Sequence, residues 1–225
     1  MAGVRGCVVV TGTDTGVGKT VVTAAIAAAA RASGLSVAVI KPAQTGISAD
    51  EESDVDTVVR LASPDYAATV AAYPNPLAPA TAARVSGLAP VTLRAVVEAV
   101  RDQRRRDLIL IEGAGGLLVR IGADWTMADL CLALESPAVV VARAGLGTLN
   151  HTTLTLEALA RRRIEPLVVI GAWPAEPELV HQTNLEDLGA IEGVIPDGVG
   201  TLAPEEFRAA AAGWLSPRLH GNRPQ

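Results

Sequence analysis

The sequence predicts an α/β fold in which a mostly parallel central sheet is covered by helices on both faces. Short apolar runs rich in Val and Ile alternate with longer stretches rich in Ala and Leu. The apolar runs lack in-out alternation, as expected when helices cover both faces of a parallel sheet. A glycine-rich loop, GTDTGVGKT at residues 12–20, joins the first apolar run to the first helical stretch.

Each predicted strand is a short apolar run. These runs are CVVV at 7–10, SVAVI at 36–40, LILI at 108–111, AVVVA at 138–142 and PLVVI at 166–170. The predicted helices lie between or after them, at 20–32, 54–61, 93–104, 127–134, 149–162 and 204–214. The alanine-rich part of the first helix, residues 24–30, indicates close packing on the sheet.

Two stretches lack a regular pattern. The proline-spaced segment 74–90 is predicted to be an irregular loop that lines the functional site, because long loops in compact domains tend to be functional. Residues 216–225 are predicted to be a flexible tail. The length of 225 residues fits a single domain, which we expect to span residues 1–225.

The charge balance is nearly even, with 19 basic and 24 acidic residues and a formal net charge of −5. We therefore expect neither nucleic acid nor a membrane as a partner. No stretch approaches the ~20 apolar residues of a membrane span. Cys7 and Cys131 lie singly in apolar stretches, which indicates a reducing compartment, so we expect a cytoplasmic protein.

The loop at 12–20 predicts a phosphate-binding site and hence a P-loop NTPase-like fold. The usual pattern, G-x-x-x-x-G-K-[ST], would require glycine at Thr13, so this loop begins one residue early, at Gly12. Backbone amides at the turn and the helix start form an anion nest, and a lysine adds positive charge. These parts are supplied by Gly16, Gly18, Lys19 and Thr20.

Dimeric switch ATPases of the partitioning and targeting type carry a second lysine five residues before the loop lysine. That position is Asp14 here. The aspartate argues against such a switch, which stays the alternative from a different functional class.

Four further stretches follow predicted strands, where open α/β sheets bind their ligands. They read IKPAQTG at 40–46, SDVD at 53–56, IEGAGG at 111–116 and ARAGLGTLNHT at 142–152. Together with the phosphate loop, they resemble dethiobiotin synthetases along most of the chain. The resemblance implies that 7,8-diaminopelargonate, CO₂ or bicarbonate, and ATP or another nucleoside triphosphate yield dethiobiotin. The ureido ring would close through a carbamate and a carbamic-phosphoric anhydride.

The resemblance also implies the catalytic and metal-binding residues. Lys19 would hold the β- and γ-phosphates, and Lys41 would reach the carbamate and the transferring phosphoryl group. Mg²⁺ would be bound by Thr20, Asp54 and Glu112, whose hard oxygens suit this ion. Simpler alternatives are that Lys41 extends to solvent, that Asp54 caps a helix and that Glu112 is a solvated strand end.

By the same resemblance, two larger sets of residues are expected around the ligands. The nucleotide-binding residues are Thr15, Gly16, Val17, Gly18, Lys19, Thr20, Val21, Asp54, Glu112, Gly113, Ala114, Gly115, Gly171, Ala172, Pro196, Asp197 and Gly198. The substrate-binding residues are Thr13, Lys41, Thr45, Gly115, Gly116, Gly147, Thr148, Leu149 and Asn150. Amide-forming synthetases share the lengthened loop, but they usually carry a glutaminase for which this chain has no room.

Residues 147–150 precede a predicted helix, so their amides form an anion nest suited to the substrate carboxylate. In the family, the nest is donated across a two-fold axis to the partner's site, which implies a homodimer with shared active sites. The simpler alternatives are that Thr148 only caps the helix and that Asn150 is solvated.

One position departs from the family pattern. After the strand PLVVI, the family commonly has an asparagine that reads adenine, but this chain has Gly171. The departure predicts relaxed base specificity, with the base held by backbone groups of Gly171, Ala172 and the turn 196–198. The alternative is that Gly171 only allows Trp173 to pack, while Asn184 reads adenine.

Overall fold

A computed structural model describes residues 4–46 and 51–221, and these form one central sheet of seven strands. In chain order the strands are β1 (Gly6–Gly12), β2 (Val37–Thr45), β3 (Tyr66–Tyr73), β4 (Leu108–Gly116), β5 (Ala138–Ala142), β6 (Pro166–Trp173) and β7 (Gly193–Pro196). Their spatial order is β3-β2-β4-β1-β5-β6-β7, and each pairing of neighbours is parallel. The predicted α/β fold is confirmed.

The helices connect successive strands and follow the last one. They are α1 (Lys19–Ala32), α2 (Asp54–Ala62), α3 (Pro79–Val85), α4 (Leu93–Asp102), α5 (Met127–Leu134), α6 (Thr148–Ala160), α7 (Leu179–Leu188) and α8 (Pro204–Ala210). Short 3-10 helices lie at Val199–Thr201, Ala211–Trp214 and Pro217–His220. Among the described residues, none of the helices has the length and apolar character needed to cross a membrane.

Helices cover both faces of the sheet because successive strand residues point to opposite sides. In β1, Val8 and Val10 join a core with α1 and Phe207, whereas Val9 joins a second core with α4 and α5. Residues 24–30 of α1 are almost completely buried, so this helix packs closely on the sheet as predicted. The two cores hold the carboxyl ends of the strands in line along one edge.

Two strands and two helices were not predicted. The edge strand β3 is rich in alanine, and only Tyr73 of its eight residues is buried. The strand β7 has only four residues. In α7, Asn184 is the one buried residue, so the helix has no apolar stripe that would signal it. The helix α3 occupies the middle of the segment 74–90, which is therefore not irregular throughout.

The end of the described chain also differs from the expected flexible tail. Residues 216–221 pack on the body of the protein, and Leu219 is fully buried. Arg218 forms ion pairs with Glu192 and Glu165, and its carbonyl oxygen accepts a hydrogen bond of 2.8 Å from the amide of Val4. Burial of one large side chain together with these pairs fixes the segment. Residues 222–225 lie outside the described residues.

Candidate active site

The loop between β1 and α1 closes tightly over Gly12. A Cβ atom at this position would lie 2.8 Å from the carbonyl oxygen of Asp14 and 2.9 Å from a methyl group of Val17. The ammonium of Lys19 donates a hydrogen bond of 2.9 Å to the same carbonyl of Asp14. The additional residue of the loop is thus accommodated by a turn that folds back over Gly12, where a larger residue would clash.

The start of α1 is built to meet an anion. Gly16 and Gly18 have φ angles of 70° and 92°, in the left-handed region that favours glycine. Gly18 caps the helix without a side chain, so no capping group occupies the first-turn amides of α1. These amides and the positive end of the helix dipole form an anion-binding site.

Four predicted site residues meet in one polar cluster beneath the loop. Glu112, in the middle of β4, accepts hydrogen bonds through Oε1 from Lys41 Nζ at 2.8 Å and from Thr20 Oγ1 at 2.9 Å. Asp54 pairs with Lys41, and its Oδ1 accepts a bond of 3.1 Å from Thr20 Oγ1. Lys41 and Glu112 are only 3% and 1% exposed, so Lys41 does not extend to solvent and Glu112 is not a solvated strand end.

Charges within this cluster shift the pKa values of its members. Burial alone would lower the pKa of Lys41, but Glu112 and Asp54 outweigh it and leave that pKa raised. Burial would raise the pKa of Asp54, but the ammonium of Lys41 and hydrogen bonds outweigh it and leave it lowered. Burial and the nearby charge of Lys41 lower the pKa of Lys19 to about 8. The lysine of the phosphate loop is therefore the easier of the two to deprotonate.

The first turn of α2 explains why Asp54 is available to the site. The helix begins with a capping box in which Ser53 and Asp56 bind each other's backbone amides. Because these two residues cap the helix, Asp54 is not the helix cap, and its carboxylate points to Thr20 and Lys41. Asp56, the neighbour most easily confused with Asp54, has its carboxylate engaged in this cap.

The glycine turn at the end of β4 lies against the phosphate loop. The carbonyl oxygen of Gly113 accepts a hydrogen bond of 3.2 Å from Lys41. Gly115 has a φ angle of 71°, and a Cβ atom there would approach Thr15 Oγ1 to 3.5 Å. A Cβ atom at Gly116 would lie 3.5 Å from the carbonyl oxygen of Gly12. The turn therefore brings backbone amides beside the loop.

A cavity of about 690 Å³ opens above the polar cluster. It brings together twelve of the predicted residues: Thr15, Gly16, Gly18, Lys19, Thr20, Val21, Lys41, Thr45, Asp54, Glu112, Ala114 and Gly115. The wall is completed by Ala43 and Gln44 of the stretch 40–46, by residues 76–79 of the segment 74–90, and by Val119, to which the sequence did not point. The segment 74–90 thus lines the site at 76–79, as expected, although much of it is helical.

The predicted anion nest at 147–150 lies outside this cavity, because none of its residues lines the cavity wall. Gly147, with a φ angle of 90°, caps α6, and Thr148 is buried with its hydroxyl 3.3 Å from that of Thr152. Asn184 donates through Nδ2 to the carbonyl oxygens of Ala144 and Gly145, at 3.0 and 3.2 Å. Its amide group therefore holds the loop before the nest, which argues against a role in reading adenine.

The predicted base-binding residues lie at the ends of β6 and β7. Gly171 packs directly on the phosphate loop, because a Cβ atom there would lie 1.9 Å from the carbonyl oxygen of Val17. The amide of Asp197 donates a bond of 2.7 Å to the carbonyl of Trp173, so the turn 196–198 is tied to the end of β6. Close backbone packing, which the sequence does not reveal, is a sufficient reason for glycine at 171.

The surroundings of Asp14 and Thr13, two residues of the phosphate loop, bear on the roles predicted for these positions. Asp14, at the position of the second lysine in switch ATPases, forms an ion pair of 2.8 Å with Arg143 at the end of β5. Thr13 is held by its amide, which donates to Val141 at 2.9 Å, and its buried hydroxyl has no hydrogen-bond partner among the described residues. Arg143 lies in the stretch 142–152 noted in the sequence, but its pairing with Asp14 was not predicted.

The parallel sheet, together with a phosphate-type loop between β1 and α1, defines a P-loop NTPase. Solved structures share this fold. The MinD cell division protein of Aquifex aeolicus aligns with a TM-score of 0.54 over 98% of this chain and 99% of that one, at 15% identity. A ParA family ATPase from Chlorobium tepidum aligns with a TM-score of 0.56 over 96% of each chain, at 13% identity. At these identities the likeness concerns the fold alone.

Sequence comparisons identify the family. A family model described as an AAA domain matches residues 7–197. The ATP-dependent dethiobiotin synthetase of Streptomyces avermitilis is 55% identical over 95% of this chain and 93% of the relative. That of Rhodococcus jostii is also 55% identical, over 92% and 93%. The chain belongs to the dethiobiotin synthetase family.

Proposed function

We propose that this chain is an ATP-dependent dethiobiotin synthetase, a ligase of biotin biosynthesis. It closes the ureido ring of dethiobiotin on 7,8-diaminopelargonate, with CO₂ as the source of the ring carbon. The observation that carries the proposal is the buried contact of Lys41 with Asp54 and Glu112 beneath a phosphate loop, in a chain of this family. A lysine and two carboxylates at one phosphate site suit phosphoryl transfer to an anionic acceptor.

The reaction needs three steps. One amine of the substrate adds to CO₂ and loses a proton, which gives a carbamate. A carbamate oxygen then attacks the γ-phosphorus of the triphosphate, whose bond to the bridging oxygen breaks as the nucleoside diphosphate leaves. The second amine attacks the carbonyl carbon of the resulting anhydride and loses a proton, phosphate leaves with the bonding electrons, and the ring closes.

The two lysines act on different parts of this path. Lys19 lies in the phosphate loop, where its charge stabilises the β- and γ-phosphates. Lys41 lines the same cavity from the side of β2, so its ammonium is the charge nearest an acceptor that enters there. Positive charge fixed in a buried site stabilises the transferring phosphoryl group strongly, because little reorganisation is needed during reaction.

The oxygens around Thr20 fit Mg²⁺. Its hydroxyl lies 3.1 Å from a carboxylate oxygen of Asp54 and 2.9 Å from one of Glu112, so the three side chains present hard oxygen donors to one point. We propose that these residues hold Mg²⁺ together with the triphosphate. When bound, the ion neutralises charge on the β- and γ-phosphates.

We further propose a homodimer in which residues 147–150 complete the partner's site. Support comes from two exposed leucines beside this segment, Leu146 at 86% and Leu154 at 57% exposure, which suit burial against a second copy. The amides of 147–150 would receive the carboxylate of the diamine. A cytoplasmic location also suits the protein, whose cysteines, Cys7 and Cys131, are both free thiols.

Incubation with 7,8-diaminopelargonate, Mg²⁺, ATP and ¹³C-labelled bicarbonate tests the reaction. We expect dethiobiotin that carries the label in its ureido carbon, with one phosphate released per product. Omission of the diamine should stop both product formation and phosphate release. Phosphate release that continues without the diamine, with no dethiobiotin formed, would instead favour the switch ATPase.

A further inference from the structure

The ammonium of Lys41 occupies a special position in the polar cluster. It contacts Glu112 Oε1 at 2.8 Å and pairs with Asp54 Oδ2, so it neutralises both carboxylates of the proposed metal site. Glu112 Oε1 also accepts the hydrogen bond from Thr20. A divalent cation at these residues would need the same carboxylate oxygens that Lys41 contacts.

The cluster is formally neutral when the neighbouring ammonium of Lys19 is counted with it. Lys19 and Lys41 contribute two positive charges, and Asp54 and Glu112 contribute two negative charges. A divalent cation that entered alone would add two buried positive charges to a balanced site, which is costly in a region of low dielectric. A metal bound to a triphosphate carries a net negative charge, so that complex compensates the two lysines.

We propose that Lys41 is an exchangeable counter-cation. Without nucleotide, its ammonium blocks the binding of free divalent metal to Asp54 and Glu112. When metal arrives with the triphosphate, the ammonium releases these carboxylates to the metal. This inference rests on the proposed metal site. The exchange turns the ammonium of Lys41 away from the carboxylates and toward the cavity, where the acceptor substrate binds. Metal–nucleotide binding would thus release the lysine that the next step requires.

A different role for Lys41 predicts the opposite effect on metal binding. If its ammonium only held the two carboxylates in the geometry that a metal needs, loss of Lys41 would disorder them and weaken metal binding. If Lys41 competes for their oxygens, loss of its charge strengthens metal binding. The sign of the change therefore separates competition from support.

The test measures binding of Mn²⁺ alone, by electron paramagnetic resonance, to the nucleotide-free full chain. We expect Lys41→Met to bind Mn²⁺ more tightly than the unaltered protein, on the order of 10-fold or more, because one buried like charge is removed. Lys41→Gln is the second variant, since it keeps hydrogen-bonding capacity without charge and should show the same direction if Lys41→Met folds poorly.

Two controls locate the effect. Arg60→Met removes the same unit of charge from α2, but Arg60 pairs with Glu52 outside the cluster, so Mn²⁺ affinity should not change. Adding Asp54→Asn to Lys41→Met should abolish the gain. Equal or weaker Mn²⁺ binding by both Lys41 variants, or an equal gain in Arg60→Met, would overturn the proposal. No diamine or product is involved, so dethiobiotin formation is judged separately.

Discussion

Lys19 and Lys41 lie in one site, but their surroundings shift their pKa values in opposite directions. Burial and the charge of Lys41 lower the pKa of Lys19 to about 8. Two adjacent carboxylates outweigh burial and raise the pKa of Lys41. Of these two lysines, only Lys19 can therefore lose its proton within the pH range in which the protein would ordinarily be studied.

This difference predicts how nucleotide affinity depends on pH. A bound triphosphate favours charged Lys19, so affinity is full below pH 8 and falls as pH rises through about 8, where free Lys19 deprotonates. The loss approaches ~10-fold per pH unit above that value. Titration of a non-hydrolysable ATP analogue between pH 7 and 9.5 measures it. Lys19→Arg keeps its proton and should give a flat profile, whereas a flat profile for the unaltered protein would contradict the prediction.

We expect the charge of Lys41 to matter more for turnover than for nucleotide binding. We expect Lys41→Ala, at saturating Mg²⁺, to bind nucleotide nearly normally but to turn over ~100-fold more slowly or worse, because a preorganised charge is lost from the transition state. Steady-state kcat and a separate nucleotide titration measure the two effects. Thr45→Val, which removes only a hydroxyl, should act mainly on the KM of the diamine. Near-normal turnover of Lys41→Ala would contradict the proposed catalytic role of Lys41.

At the scale of elements, the end of β6 is pressed against the phosphate loop. Gly171 and Gly18 are in backbone contact, since a Cβ atom at Gly18 would lie 2.5 Å from the carbonyl oxygen of Gly171. No side chain can extend from residue 171 toward a base while the loop keeps this position. The geometry thus supplies a steric reason for the departure from the family asparagine.

We expect this packing to relax nucleobase specificity. Each lost hydrogen bond is worth ~0.5 to 1.5 kcal/mol, so the loss of one or two narrows the advantage of ATP by between ~2-fold and ~150-fold. Comparison of kcat/KM for ATP, GTP, CTP and UTP measures this. A preference for ATP above ~100-fold, which a hydrogen-bonding site can enforce, would reveal another base reader. In Gly171→Asn, the new side chain should displace the phosphate loop and weaken the binding of all four nucleotides to the same extent.

Sequence reasoning found the elements and residues whose signals are local. The strands β1, β4 and β5 are continuous apolar runs, and the phosphate loop follows a fixed spacing. The edge strand β3 escaped because its side chains are small and half-exposed. Val119 escaped, and so did the pairing of Arg143 with Asp14, because both depend on contacts between distant parts of the chain, which no spacing in the sequence records.

At the scale of the whole molecule, the predicted site residues fall in two regions of the sheet edge. The cavity gathers the loop, β2, α2 and β4, while residues 147–150 at the start of α6 remain outside it. Exposed leucines accompany the second region. This division is what a composite site between two copies of the chain requires.

The shared site predicts complementation between two inactive variants. In the proposed dimer, Asn150→Ala removes a residue donated to the partner, and Lys41→Ala removes one from the subunit's own cavity. A mixed dimer of the two holds one site with both residues intact, so mixing should restore activity that neither variant has alone. Subunit exchange is followed separately by native mass spectrometry. Exchange without recovered activity would contradict the shared site, as would a fully active Asn150→Ala protein.

The contact between Val4 and Arg218 has a practical consequence. It joins the two extremities of the described chain at the amino-terminal end of β1, across the protein from the edge that carries the cavity. Attachment to a solid support through either extremity would therefore leave the catalytic edge facing solution. The same proximity makes the described part of the fold a suitable host for circular permutation, because a short linker would join positions near Val4 and Arg218, which are already in contact.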